Sequence, residues 1–349
     1  MELLFDHSGL TRRGKGYTYD DVLIVPARSE MRSRRDPDLT SSLTKTRKLK
    51  LPFISANMDT ITEAPMAIAM DQQGGFGIIH RFMSIQDQVN QVQMVKDSGA
   101  VTIGASIGVN DDSKDRAQAL VTAGANVLTV DIAHGHSVQM FETLAWLKDH
   151  FSNIEVIAGN VATPEGTMDL IEAGADAIKV GIGPGSMCTT RIITGCGVPQ
   201  LTAVAMCAEV ATSKKVPIIA DGGIKTSGDI VKAFAAGAST VMLGSILAGT
   251  IETPGLIQHG QKQYRGMASR AAQDSWRGGV PLGMAPEGEA TKVFVKGHLS
   301  DVVGELAGGL RSGMTYINAN ELSEIAKKAR FMEMTAMGYR ESSAHGVRG

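Results

Sequence analysis

Covalent chemistry in this chain has one leading candidate. The run Gly181-Ile-Gly-Pro-Gly-Ser-Met-Cys-Thr-Thr-Arg191 sets a thiol, Cys188, two residues before a hydroxyl, Thr190, at the end of a glycine-rich stretch. Such a stretch bends tightly and exposes backbone amides and carbonyls, and a nearby cation or amide cluster lowers a thiol pKa and makes it nucleophilic. Cys188 is therefore read as the nucleophile, whereas Cys196 and Cys207 are read as inert, buried thiols. Asp221 opens Asp-Gly-Gly-Ile224 and offers two acceptor oxygens to a ribose diol, unless it serves a helix cap or turn. Gly222, Gly223, Gly244 and Ser245 offer amides to a phosphate. Asp131 opens Asp-Ile-Ala-His-Gly-His136. The His-x-His pair suggests a metal, but no carboxylate or cysteine cluster at ligand spacing supports one. Asp131 is read instead as a polar contact to a second ligand.

These residues need a scaffold that brings them together, and the sequence repeats one. Short apolar runs recur at 51–56, 76–80, 101–107, 127–131, 156–159, 178–181, 217–221 and 240–244. Between them lie segments of helical periodicity, such as 84–96, 113–123, 163–173 and 227–236, several ending in Ala-Gly-Ala, as at Ala123-Gly124-Ala125. A glycine there suits the left-handed residue that stops a helix. Strand, helix and stop repeated eight times over about 280 residues predict a closed α/β (β/α)8 TIM barrel rather than an open doubly wound sheet. Barrel enzymes keep their chemistry at the C-terminal strand ends. Asp131 follows strand four, Cys188 strand six, Asp221 strand seven and Gly244 strand eight. One domain is expected over 1–349, with an N-terminal arm over 1–50. A lid or flap lacking sustained periodicity is expected over about 248–318, and a disordered tail over 341–349.

The bulk numbers set the class. In 349 residues, 43% are hydrophobic and 20% charged, with 34 basic against 36 acidic side chains and a net charge of −2. That balance gives no reason to expect nucleic acid or a membrane surface as partner. An odd cysteine count of three, no leader-like apolar segment and no run long enough to span a bilayer point to a soluble, cytoplasmic protein.

The loop GIGPGSMCTTRIITGCGVPQLTAV at 181–204 resembles the catalytic-cysteine loop of the IMP dehydrogenase/GMP reductase family. So do ANMDT at 56–60, DGGI at 221–224, MLGS at 242–245, YRGM at 264–267 and GGLRSGMTY at 308–316. The resemblance implies that Cys188 adds to C2 of a purine nucleotide. Ser186, Asp221, Gly222, Gly223, Gly244, Ser245, Tyr264, Gly266, Met267, Ala268, Met284 and Gly288 would hold that nucleotide. It implies a nicotinamide cofactor near Asp131, Ile132, Ala133 and Gly183, with outer contacts from Ser33, Arg34 and Arg81. Ser312, Gly313, Met314 and Thr315 would reach in from a neighbouring subunit of a homotetramer. A potassium ion would sit mainly on backbone carbonyls of Gly183, Gly185, Cys188 and Arg191.

Two features resemble the reductase branch. The stretch Arg81–Val101 leaves no room for the CBS pair that the dehydrogenases usually insert. The lid sequence ASRAAQDSWRGGVPLGMA, 268–285, lacks the dehydrogenases' water-activating Arg-Tyr pair. Other stretches, among them HRFMSIQDQVNQV and DIAHGHS, resemble bacterial dehydrogenases, and Gly283-Met284 stands where reductases usually carry Tyr-Arg. The reductase branch implies NADPH-dependent deamination of GMP to IMP and ammonia, with Thr190 relaying a proton and Glu287 polarising it. Arg34 and Arg81 suit a 2′-phosphate, favouring NADPH over NADH, or else are solvated surface charges. The alternatives are an IMP dehydrogenase without CBS domains and an inactive guanine-nucleotide-binding paralogue.

Overall fold

Each of the eight apolar runs forms a strand, and all eight pair in parallel in chain order until the last closes on the first. The computed structural model describes residues 4–342. Its barrel strands are β1 (Phe53–Ser55), β2 (Phe76–Ile79), β3 (Gly104–Ile107), β4 (Val127–Asp131), β5 (Glu155–Val161), β6 (Ala177–Val180), β7 (Ile218–Asp221) and β8 (Thr240–Leu243). Closure is made by Val241, Met242 and Leu243 opposite Phe53, Ile54 and Ser55. The strands are buried along nearly their whole length, as parallel strands under a helical shell must be, and so read as unbroken apolar runs.

The helices α1 (Ala64–Gln72), α2 (Ile85–Asp97), α3 (Ser113–Ala123), α4 (Val138–His150), α5 (Pro164–Glu172), α6 (Gln200–Ser213) and α7 (Ser227–Ala235) form most of that shell. Gly124, Gly174 and Gly237 adopt φ of 120°, 100° and 97°, so the Ala-Gly-Ala signatures are left-handed stops as expected. At the start of α7, Thr226 and Asp229 form a reciprocal capping box.

The excursion after β8 differs from expectation. It ends at His298, because Leu299–Tyr316 is α8, the eighth barrel helix, packed against α7 and α1. Its glycines obscure the apolar period but serve close packing. A Cβ at Gly309 would fall 2.1 Å from Ser227 Oγ, and one at Gly313 would fall 2.5 Å from a Val231 methyl. The flap is also regular: an antiparallel hairpin of β9 (Gln261–Arg265) and β10 (Ala290–Phe294), with a short helix, Arg270–Arg277, between them.

In the N-terminal segment, Leu4–Phe5 and Val22–Ile24 flank Phe331–Glu333 in a three-stranded antiparallel sheet. The expected tail begins inside a helix, Ala336–Glu341, and residues 343–349 lie outside the described ones. Among the described residues no helix is long and apolar enough to cross a membrane.

Candidate active site at the barrel mouth

Beyond β6 the chain turns at Gly183, whose φ of +83° and 2.5 Å clearance from Arg191 Cγ leave no place for a side chain. Arg191 fastens the turn by donating from Nε to the Ile182 carbonyl (3.2 Å) and from Nη2 to the Val198 carbonyl (2.5 Å). Burial lowers the Arg191 pKa, and the nearby Cys188 works in the opposite direction. Cys188, half-buried, donates from its backbone N–H to the Gly185 carbonyl at 3.0 Å. Its Sγ–H donates to Thr190 Oγ1 at 3.1 Å, and the Thr190 hydroxyl donates to Glu287 Oε2 at 2.8 Å. Thiol, hydroxyl and carboxylate thus form one continuous chain.

Glu287 reaches this chain because the flap is stitched to the cysteine loop. Thr189 N–H donates to the Glu287 carbonyl (3.2 Å) and Glu289 N–H to that of Met187 (2.9 Å). Gly288, bridged to Cys188 and Ser269, sits where a Cβ would be 3.0 Å from the Met187 carbonyl oxygen and 3.1 Å from Ser269 N. The root of β9 is held by Arg265, whose Nε and Nη2 donate to Asp59 Oδ2 at 3.0 and 2.5 Å. Next to it, Tyr264 Oη and Ser186 Oγ share a hydrogen bond of 3.1 Å, and burial raises the Tyr264 pKa.

A cleft of about 420 Å³ opens over these groups. Of the expected nucleotide residues, Ser186, Asp221, Gly222, Gly223, Gly244, Ser245, Tyr264, Gly266, Met267, Ala268 and Met284 line it, together with Cys188, Thr190 and Glu287. So do Arg81, Asp131, Ile132, Ala133, Gly183 and Gly185. Gly288 lies behind the lining as the flap's contact to the loop.

Ser33, Arg34 and 312–315 do not line the cleft of their own chain, and the contact expected of 312–315 is to a neighbouring subunit's cofactor. Met314 is fully buried on the core side of α8, so its side chain is a packing residue, not a cofactor contact. The segment carrying Ser33 and Arg34 is instead anchored beside the end of α8. There Ala27 N–H donates to the Tyr316 carbonyl (2.9 Å) and Asp38 N–H to that of Asn320 (2.8 Å). Cys196 is exposed rather than buried, carried to the surface between Gly195 and Gly197, both with positive φ. Cys207 is buried, and burial pushes its pKa up to about 12. His136 is hydrogen-bonded to Asp169 at 2.8 Å.

The floor of the cleft holds what residue patterns did not reveal. Lys179, in the middle of β6, reaches Asp131 Oδ1 at 2.8 Å and Asp221 Oδ2 at 2.5 Å. Asn57 Nδ2 donates to Asp131 Oδ2 at 2.8 Å, and Asn160 Nδ2 to Asp221 Oδ2 at 2.9 Å. Asn160 is brought in by an irregularity of β5, where the register against β6 skips one residue. Burial alone would raise the Asp131 pKa, but Lys179, Arg81 and Asn57 hold it below the usual value. The visible signal was a lysine inside an apolar run, Ile178-Lys-Val180.

At the outer end, Arg81 lies over Phe82 (4.8 Å), Phe82 meets Trp276 edge-on (5.4 Å), and Arg277 stacks on Trp276 (4.1 Å). Arg81 Nε and Trp276 Nε1 are buried donors without a partner. Orphan donors beside aromatic faces suit a planar ligand that carries acceptors, as a nicotinamide cofactor does.

A family model described as IMP dehydrogenase / GMP reductase domain matches residues 16–345. The inosine-5′-monophosphate dehydrogenase of Cryptosporidium parvum is 44% identical, over 97% of this chain and 97% of that protein. The enzyme of the same name from Aquifex aeolicus is 38% identical, over 95% and 96%. Among solved structures, a GMP reductase variant from Trypanosoma brucei in complex with guanosine 5′-monophosphate superposes with a TM-score of 0.91. It is 33% identical and covers 99% of this chain and all of that one.

Proposed function

The chain belongs to the IMP dehydrogenase/GMP reductase family of oxidoreductases, and we propose that within it the protein is an NADPH-dependent GMP reductase. One observation carries the reading. The hydrogen-bonded chain Cys188–Thr190–Glu287 offers a path for a proton at the reacting carbon, while among the described residues no adjacent arginine–tyrosine pair lines the cleft to activate water. A reductase must protect its covalent intermediate from hydrolysis, so that combination fits reduction.

In this reading the thiol proton passes through the Thr190 hydroxyl to Glu287, and the thiolate adds to C2 of GMP. The same two residues return the proton to the 2-amino group, which leaves as ammonia and gives a thioimidate on Cys188. General-acid help of this kind is typically worth ~10²–10⁴-fold. The reduced nicotinamide supplies hydride to C2 when bound, and IMP departs as the thiolate re-forms. Asp221 accepts from the ribose hydroxyls, and the backbone of Gly223, Gly244 and Ser245 faces the phosphate. Asp131, Ile132 and Ala133 would hold the cofactor's reacting end, and Arg81 would donate to its acceptors. Carbonyls of Gly183, Gly185 and Cys188 are neutral donors suited to potassium; the Arg191 guanidinium is already committed to holding their loop. A homotetramer in a cytoplasmic setting would let Ser33, Arg34, Ser312, Gly313 and Thr315 meet a neighbour's cofactor.

A second reading, an IMP dehydrogenase, is favoured by the names of the relatives cited above and by Arg277, a cleft-lining guanidinium on the flap helix. Product analysis separates the two. Chromatography of GMP plus NADPH should yield IMP and stoichiometric ammonia; XMP from IMP plus NAD would establish the dehydrogenase.

A further inference from the structure

The buried lysine at the barrel floor has a role that neither the nucleophile chain nor the flap accounts for. Its side chain is 3% exposed, while the carboxylates it joins, Asp131 and Asp221, are 22% and 21% exposed. Lys179 belongs to the floor of the cleft, but it is far less exposed than the two carboxylates, so a ligand entering meets mainly the carboxylates. Two carboxylates in one partly buried site do not both stay ionised without a counter-charge. The other groups facing this pair are Arg81, on the Asp131 side, and the phenols of Tyr19 and Tyr264, on the Asp221 side, with neutral Asn57 and Asn160. Among the described residues, Lys179 is the one cation bonded to both carboxylates.

We propose that Lys179 is a positioning residue that couples the two ends of the cleft, its single ammonium setting the acceptor strength of both Asp131 and Asp221. The proposal rests on the assignment of Asp221 to the nucleotide and Asp131 to the cofactor. A group beneath only one subsite would affect only one ligand. A shared ammonium makes each ligand's affinity depend on the carboxylate that serves the other.

The test is calorimetric titration of the full-length protein with GMP and, separately, with NADPH. Lys179→Met should weaken both by at least about tenfold, the effect of one pKa unit on an acceptor that must be ionised. Adding Asp131→Asn to that variant leaves Asp221 as the lone carboxylate, needing no counter-charge. GMP affinity should then recover to within about threefold of wild type while NADPH affinity does not. A merely structural lysine would not be rescued by removing a second partner. A folded Lys179→Met that keeps either affinity within twofold, or a folded double variant in which GMP binding stays lost, overturns the proposal. If neither folds by circular dichroism, Asp131→Asn alone decides. With the ammonium left wholly to Asp221, GMP affinity should shift at least threefold, and an unchanged value overturns coupling. Wild-type protein that binds IMP and NAD but not GMP and NADPH refutes the reductase reading instead, and the same variants then test the coupling with that pair.

Discussion

Replacing Glu287 by Gln keeps the shape of the flap and removes a charge from the end of the Cys188–Thr190–Glu287 chain. The Thr190 hydroxyl now donates to a carboxylate oxygen at 2.8 Å, an ordinary O–H···O length made to a charged acceptor. Such bonds contribute about 1.5–3 kcal/mol, or roughly 10- to 150-fold in rate if the loss falls wholly on the transition state. Loss of proton transfer as such costs about 10²–10⁴-fold. The two ranges meet near ~10², which is the expected fall in kcat. Glu287 acts through Thr190 and holds the flap through its own backbone, so nucleotide affinity should change less than about threefold. Steady-state kinetics and equilibrium binding measured on Glu287→Gln, Thr190→Val and the double variant provide the check. If the residues act as one relay, the double variant is no slower than the worse single one. A Glu287→Gln enzyme within threefold of wild type, or additive losses in the double variant, would refute the relay.

Other consequences are more local. Gly288→Ala places a methyl 3.0 Å from a backbone carbonyl that cannot swing away. About 1–3 kcal/mol of strain should appear as a loss of kcat of roughly 5- to 150-fold, in a protein whose thermal melt shows the barrel intact. Arg265→Met strands Asp59, which is only 10% exposed, and loosens the root of the flap hairpin. Breaking such a pair costs roughly 3 kcal/mol, and faster proteolysis within 261–294 would reveal it. Iodoacetamide at pH 8 should modify Cys188 and exposed Cys196, with GMP protecting Cys188, while Cys207, its pKa pushed up to about 12, stays unmodified until the protein unfolds. Because the folded state keeps that proton and the unfolded chain releases it, this thiol makes stability fall as pH rises from its ordinary value towards 12. Flat stability across that alkaline window, in a Cys207→Ser comparison, would contradict the burial argument.

Much of the barrel was legible because a parallel strand covered on both faces must be apolar throughout, and a helix that turns straight back must stop on a glycine such as Gly174 or Gly237. The cysteine loop was legible because its chemistry is contiguous in sequence. Helix α8 was hidden by the same glycines that let it approach Ser227 and Val231. The flap hairpin was hidden because β10 is largely exposed and lacks an apolar face to betray it. Met314 shows the limit of carrying a segment over whole: it shares a motif with its neighbours, yet the helix turns it inward. The Lys179 pairs could not be read, since their members lie on β4, β6 and β7 and meet only once the barrel closes.

The most direct test of the proposed reaction is absorbance at 340 nm in potassium buffer, with GMP plus NADPH in one cuvette and IMP plus NAD in another. The expected result is a loss of absorbance in the first with ammonia released, and no change in the second. A gain in the second, with XMP formed, would contradict the reductase assignment and show that the flap bearing Trp276 and Arg277 activates water by another route.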